Sequence, residues 1–274
     1  MSAIDIRLDD RVAVVTAGAN GIGEGAAMAI ARAGGHVVIA DIDPENGERV
    51  AGAVRDLGRE ALYVRTDVRK TEQITAMIDQ AAGRFGRIDI LVNNAGRTRH
   101  QPFLDQTETN WRRLIDFNFV SMLAATHAIA GVMAAGGRGG CIVNIASTEG
   151  LRAAPGFSVY AACKAAMVSF TRSMALELSE YGIRSFALAP DMIDTPGLRP
   201  FLAAATLQER KAQLGYIPLG RLGTLDEIGN VIAFLASDLA SYLNGVTIPV
   251  DAGAIASSGW TRSPATGDWR LYHG

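Results

Sequence analysis

The stretch Arg11-Val12-Ala13-Val14-Val15-Thr16-Ala17-Gly18-Ala19-Asn20-Gly21-Ile22-Gly23 decides the fold. Residues 11–16 make a short, nearly continuous β-branched run, the pattern of a strand buried on both faces in a parallel sheet. A glycine-rich turn follows, and residues 26–33 continue as an apolar helical segment. Strand, glycine turn and helix in that order build a phosphate cradle. Glycine lets the backbone approach a pyrophosphate, and the helix start offers free N–H groups and a positive dipole end. Gly18, Asn20, Gly21, Ile22 and Gly23 are therefore candidate dinucleotide contacts. A tight turn with no ligand is the plainer alternative.

The alternation repeats downstream. Residues 36–40 (HVVIA) read as a second strand ending in Asp41, 18 residues past Gly23. That is close to the offset at which an acid hydrogen-bonds an adenosine ribose. A carboxylate there repels a 2′-phosphate, Ala40 and Ile42 bring no arginine, and Asn20 is uncharged, so NAD is expected rather than NADP. A solvated loop acid is the alternative. Asp43 is placed to cap a helix over 44–57, with Pro44 at its first position. A strand over 61–66 runs into Asp67-Val68, and an amphipathic helix over 71–85 has Thr71 as its expected cap. A strand over 88–92 runs into Asn93-Asn94-Ala95-Gly96. Residues 111–135 are largely helical, and Asn118 sits there among Phe117, Phe119 and Val120, where a buried amide needs partners. Later strands over 141–146, 183–189 and 245–250 alternate with helices that begin near Tyr160 and Thr224.

Repeated βα units with crossovers of this length imply an α/β fold: one Rossmann-type domain over 1–274. Its doubly wound parallel sheet has about seven strands, with helices on both faces. Residues 194–220, holding Pro196, Pro200 and Pro218, are expected to form an irregular helical lid. The tail 254–274, with Trp260, Trp269 and Tyr272, is aromatic enough to dock. In such sheets ligands sit beyond the carboxyl ends of the strands, where the polar signatures fall.

The chemistry concentrates in Tyr160-Ala161-Ala162-Cys163-Lys164. Four-residue spacing stacks Tyr160 and Lys164 on one helix face. For a phenol to act as a base near pH 7, its pKa must fall by about three units, roughly 4 kcal/mol. An ammonium about 4 Å away supplies a similar attraction at an effective dielectric of 20. Taken alone, the spacing also fits a core tyrosine beside a solvated lysine. The loop Arg97-Thr98-Arg99-His100-Gln101 lies at the right end of the sheet to line a substrate site. It reads either as a solvated basic loop or as recognition of a polar or anionic substrate.

Bulk properties narrow the class. The 274 residues are 49% hydrophobic and 20% charged, suiting a large buried core. A net charge of −2 gives no reason to expect nucleic acid or an anionic membrane as partner. Two cysteines, Cys141 and Cys163, in apolar or helical contexts argue against a disulfide framework and for a reducing cytoplasm. The N-terminus lacks an apolar core of signal-peptide length. No apolar run is expected to approach the ~18 residues of a membrane span. No metal site is expected.

Together these residues resemble the short-chain dehydrogenase/reductase family over roughly 10–253. The resemblance rests on an ordered set: Gly21-Ile22-Gly23, Asp67, Asn93-Asn94-Ala95-Gly96, Asn118, Ser147, Tyr160 with Lys164, Pro190 with Thr195, and Val250-Asp251. Ser147 lies 13 residues before Tyr160, as the family has it. The resemblance implies a catalytic set of Asn118, Ser147, Tyr160 and Lys164. Tyr160 is the acid/base, Ser147 orients the substrate oxygen, Lys164 lowers the Tyr160 pKa and holds the nicotinamide ribose, and Asn118 anchors a relay water. It implies adenine contacts at Asp67 and Val68, with Ile42, Asn94, Ala95 and Gly96 along the nucleotide. Pro190, Ile193 and Thr195 would hold the carboxamide. It also implies a homotetramer or homodimer. Ala17 and Asp191 depart from the family's usual glycines, and an acid at 191 would either favour the oxidised cofactor or face solvent. The longer tail is placed to reach a neighbouring subunit.

The expected function is NAD-dependent hydride transfer on a secondary alcohol, ketone or sugar hydroxyl, with a polar small-molecule substrate. One alternative is a 3-oxoacyl thioester reductase, against which Asp41 speaks because biosynthetic reductases generally use NADPH. Another is a non-catalytic nucleotide-binding regulator, which would be expected to lose Ser147, Tyr160 or Lys164.

Overall fold

A computed structural model describes residues 5–263 and 266–271. In chain order the elements are β1 (Val12–Thr16), α1 (Gly21–Arg32), β2 (His36–Asp41), α2 (Pro44–Asp56), β3 (Ala61–Arg65), α3 (Thr71–Phe85) and β4 (Ile90–Asn93). Next come α4 (Glu108–Ile115), α5 (Ser121–Gly136), β5 (Gly140–Ile145), α6 (Ser158–Glu177), β6 (Ile183–Pro190), α7 (Arg199–Ala204) and α8 (Leu207–Tyr216). The chain closes with α9 (Leu225–Ala236), β7 (Thr247–Val250), α10 (Ala254–Ser257), β8 (Thr261–Arg262) and β9 (Trp269–Arg270).

The seven long strands form one parallel sheet in the order β3-β2-β1-β4-β5-β6-β7. The run Val12 to Thr16 is wholly buried because helices cover both faces. The order reverses between β1 and β4, which opens the crevice where such sheets take ligands. A buried polar ladder ties the centre together. Asn93 Nδ2 donates to Thr126 Oγ1 at 2.9 Å and to Asn144 Oδ1 at 2.8 Å, and Asn144 Nδ2 donates to Thr171 Oγ1 at 2.9 Å. Each such bond contributes about 1 kcal/mol when satisfied and more if orphaned. The ladder fixes α5 and α6 against β4 and β5, and so sets the height of the helix carrying Tyr160.

Three expectations change. Asp43 caps α2, accepting from Asn46 N at 3.1 Å, but Thr71 is the first residue of α3 rather than its cap; Lys70 holds that place without a side-chain bond. The helix expected over 111–135 is interrupted by a π turn at Asp116–Val120. The continuous helical span Glu108–Gly136 has a window of mean hydropathy 1.6 and is long and apolar enough by those measures to cross a membrane, with 39% of that window buried in the fold. This corrects the expectation that glycine or a charge interrupts every apolar run: Gly131 lies inside α5 without ending it. The described part of the tail packs on its own chain, in keeping with the expectation that it docks. β8 pairs with β9, Arg262 lies over the Trp269 ring, and the Arg262 carbonyl approaches α8 so closely that a Cβ on Gly215 would meet it at 2.8 Å. Tyr272 lies outside the described residues.

Candidate active site

The glycine turn is built by close approach. A Cβ on Gly23 would stand 2.2 Å from the Ala17 carbonyl and 2.7 Å from Asn94 Nδ2, so only glycine fits there. Asn94 Nδ2 donates to the carbonyls of Thr16 and Ala17 at 3.1 and 2.9 Å. Thr16 Oγ1 accepts from Asn94 N and Ala95 N. The β1 and β4 ends are thereby clamped into one surface. Ala17 sits at φ 49°, a left-handed conformation costing an L-residue about 1–2 kcal/mol. The turn thus keeps its shape without the family's glycine there, at the expense of strain. Asn20 makes no side-chain cap bond, so the first N–H groups of α1 remain for a ligand. A nicotinamide dinucleotide's pyrophosphate fits this uncapped helix start.

Asp41 is buried. Its Oδ2 accepts from Ala19 N and its Oδ1 from Asp43 N, both at 3.0 Å, so it braces the turn. Arg49 reaches the turn from α2 but is committed to Glu24 and the Ala19 carbonyl.

A cavity of about 290 Å³ gathers Asn20, Gly21, Ile22, Asn94, Gly96, Ser147, Tyr160, Lys164, Pro190 and Thr195, all named from the sequence. Thr195 stands over Gly21, and Asp191 lines the same cavity. Gly18 and Gly23 lie beneath as turn backbone; Val68, Ala95 and Ile193 are buried supports. Ile42 and Asp67 line a different cavity.

Ser147 opens a 3-10 turn, and its Oγ accepts from Glu149 N at 3.2 Å. Burial pushes the Tyr160 phenol up, and a hydrogen bond with Ser147 opposes that. Lys164 is 2% exposed, its Nζ 5.6 Å from the centroid of the Tyr160 ring. That Nζ donates to the Ile145 carbonyl at 2.6 Å, and burial pushes its pKa down to about 8. The expectation that Lys164 brings the Tyr160 pKa down is therefore not met by these groups alone. Desolvation dominates both, and the ammonium faces a backbone carbonyl. Asn118 is fully buried in the π turn; its amide donates to the carbonyls of Arg97 and Leu114 and accepts from Arg97 N. A Cβ on Gly96 would fall 3.2 Å from Asn118 Oδ1 and 3.3 Å from Lys164 Nζ, so Gly96 is the spacer between the two.

The basic loop divides. His100 turns toward Gly156 and Phe157, which precede α6. Arg97, Arg99 and Gln101 instead line a second cavity of about 260 Å³ with Ile42, Asp67, Arg69 and Arg113. The loop arginines thus lie apart from Ser147 and Tyr160, which does not support substrate recognition there, one of the loop's two readings. Arg69 forks onto Asp67 at 2.8 and 2.6 Å and holds its carboxyl below the usual carboxylate range.

Sequence reasoning missed Thr16, Ile145, Glu149, Arg152 and Tyr216. The first two act through hydroxyl or backbone oxygens with no motif. The others meet across the fold, and only a polar loop between Ser147 and Tyr160 and a lone tyrosine ending the lid could have pointed to them.

Comparison with known proteins gives the family. The family described as enoyl-(acyl carrier protein) reductase matches residues 16–254. The chain is 40% identical to cis-4-hydroxycyclohexanecarboxylate dehydrogenase of Sinomonas cyclohexanicum, over 90% of this chain and 97% of that protein. It is 37% identical to galactitol 2-dehydrogenase of Agrobacterium fabrum, over 90% and 98%. Among solved structures, a 7α-hydroxysteroid dehydrogenase complexed with NADH and 7-oxo glycochenodeoxycholic acid superposes with TM-score 0.86 at 33% identity, covering 91% of this chain and 96% of that one.

Proposed function

The chain belongs to the short-chain dehydrogenase/reductase family and is an oxidoreductase, and from that premise we propose that it is an NAD-dependent dehydrogenase of polar secondary alcohols or sugar hydroxyls. The carrying observation is that Ser147, Tyr160 and Lys164 share one cavity with the uncapped start of α1 and with Thr195. Asn20, Gly21, Ile22, Thr195 and Pro190 would hold the dinucleotide, which supplies the hydride acceptor when bound. NAD is favoured over NADP by buried Asp41, by Ile42 beside it, and by the commitment of Arg49 to Glu24.

Tyr160 takes the alcohol proton. Ser147 lowers the cost of charge on the phenol and orients the substrate oxygen. Lys164, with its pKa near 8, exchanges protons close to neutral pH, and Asn118 fixes the backbone at Arg97 behind it. Asp67, Val68, Asn94, Ala95, Gly96 and Ile193 complete the nucleotide groove, with Ile42 at its adenosine end. A homotetramer or homodimer in a reducing cytoplasm belongs to the same reading. It is supported by a groove of Phe103, Trp111, Ile115, Ala162 and Ala166, and by two free buried cysteines, with the Cys141 pKa pushed up to about 12.

Initial rates at 340 nm, with NAD and then NADP across sugars, polyols and cyclic alcohols, test the proposal. Turnover with NAD is expected, and Tyr160→Phe should lower it about 10³-fold while NAD affinity stays within twofold. Near-native turnover of that variant would overturn the assignment.

A further inference from the structure

Asp191 follows Pro190 at the carboxyl end of β6, in the place where the resemblance led us to expect glycine. It lines the cavity that holds Ser147 and Tyr160. Its side chain is only 12% exposed. Oδ2 accepts from Tyr216 Oη at 2.5 Å and lies 3.5 Å from Arg152 Nη2. Arg152 hydrogen-bonds the same phenol, donates to Glu149 Oε1 at 2.7 Å, and lies over the Tyr216 ring. Tyr216 is the last residue of α8, so its phenol ties the lid to the cavity floor through Asp191 and Arg152 together. Oδ1 accepts no hydrogen bond among the described residues and is left for a ligand. Around Asp191 one cation, Arg152, stands against two carboxylates, Glu149 and Asp191, with Asp251 also acting on Asp191; the cavity's other cation, Lys164, is buried against the Ile145 carbonyl. Such a surface accepts hydroxyl donors and repels a carboxylate or sulfonate. The arginines that could have welcomed an acid open into the other cavity.

We propose that Asp191 is a specificity-determining residue that accepts a hydrogen bond from a second hydroxyl of the substrate, and that Arg152 and Tyr216 are positioning residues that hold it. The substrate is then a neutral polyol or cyclic diol rather than an acid-bearing alcohol. This rests on the alcohol dehydrogenase reading above. Burial disfavours the Asp191 carboxylate, and the Tyr216 hydroxyl and the Arg152 guanidinium oppose that, so the acceptor depends on the lid tyrosine staying in contact with it.

The test uses the full chain with NAD and three matched substrates: cyclohexanol, cis-cyclohexane-1,2-diol and 4-hydroxycyclohexanecarboxylate. The native chain should prefer the diol to the mono-alcohol at least tenfold in kcat/KM and use the acid least. Asp191→Ala should bring the diol preference within threefold, with the loss falling on KM for the diol rather than on kcat. Asp191→Asn keeps an acceptor, so it should retain part of the diol preference while the acid improves at least fivefold. Tyr216→Phe should fall between. Circular dichroism and calorimetric NAD affinity report folding. An unchanged diol ratio in Asp191→Ala, or an acid preferred by the native chain, overturns the assignment and leaves the dehydrogenase standing. Silence of the native chain on every alcohol with NAD and with NADP overturns the dehydrogenase reading and this assignment with it.

Discussion

The two cavities along the carboxyl edge of the sheet handle charge in opposite ways. Around Ser147 and Tyr160 the cations have partners: Lys164 faces the Ile145 carbonyl, and Arg152 is shared among Glu149, Asp191 and Tyr216. Around Ile42 and Asp67, Arg69 is paired, but the guanidinium groups of Arg97, Arg99 and Arg113 have no hydrogen bond or ion pair among the described residues. The first arrangement is buried and directional, so small displacements matter. The second is exposed and long-ranged, and salt screens it over about 10 Å at 0.1 M. Preorganised charge suits a reacting centre, whereas free arginines bias only the local potential.

Lys164→Met should break the first cavity most severely, lowering turnover at least 10²-fold. It also carries a signature in stability. The Lys164 pKa is depressed from 10.5 to about 8 in the fold, so the unfolded chain binds more protons between those values. Native stability therefore rises from pH 8 to 10.5 and is lost again as pH falls through 8. Denaturation of both proteins should show the variant's advantage greatest below pH 8 and shrinking by about 3 kcal/mol toward pH 10.5. A constant gap across that window would show that the lysine is not titrating there.

Gly96→Ala comes next. Its methyl must push Asn118 or Lys164 by a few tenths of an ångström. A fall in kcat of about tenfold, with circular dichroism unchanged, is expected, in keeping with the sensitivity of positioned groups. Asp41→Ala acts between the cavities. It removes both the brace on Ala19 and the repulsion of a 2′-phosphate, so the ratio of kcat/KM with NAD to that with NADP should narrow about tenfold. An unchanged ratio would sink the cofactor reading. The smallest effect is expected from Arg99→Gln with Arg113→Gln. The KM for NAD should change less than threefold at low ionic strength, with the difference vanishing above 0.5 M salt. A salt-independent tenfold change would erase the contrast between the cavities.

Much of this was legible in the chain because it is local. Val12 to Thr16, the glycine turn and the later β runs each state their own conformation, and Tyr160 and Lys164 meet by helix spacing alone. What escaped is non-local or backbone-borne. Tyr216 reaches Arg152 and Asp191 only through the folded lid. The acceptor for Lys164 is a carbonyl that any residue would provide. The direction of Arg97 and Arg99 depends on how Asn118 grips the loop, which composition does not record.

The π turn at Asp116–Val120 gives the long helix a phase. One extra residue in a turn rotates everything before it by about 100° relative to everything after it. Glu108 to Ile115 and Ser121 to Gly136 are thus two gears meshed at Asn118. A chain shortened by one residue between 108 and 117 would be expected to heal into a regular helix with its composition almost untouched. The amide that clasps Arg97 would then face another direction, and the loop of arginines would lose its anchor. At this point the protein keeps count of its residues more strictly than it keeps their identity.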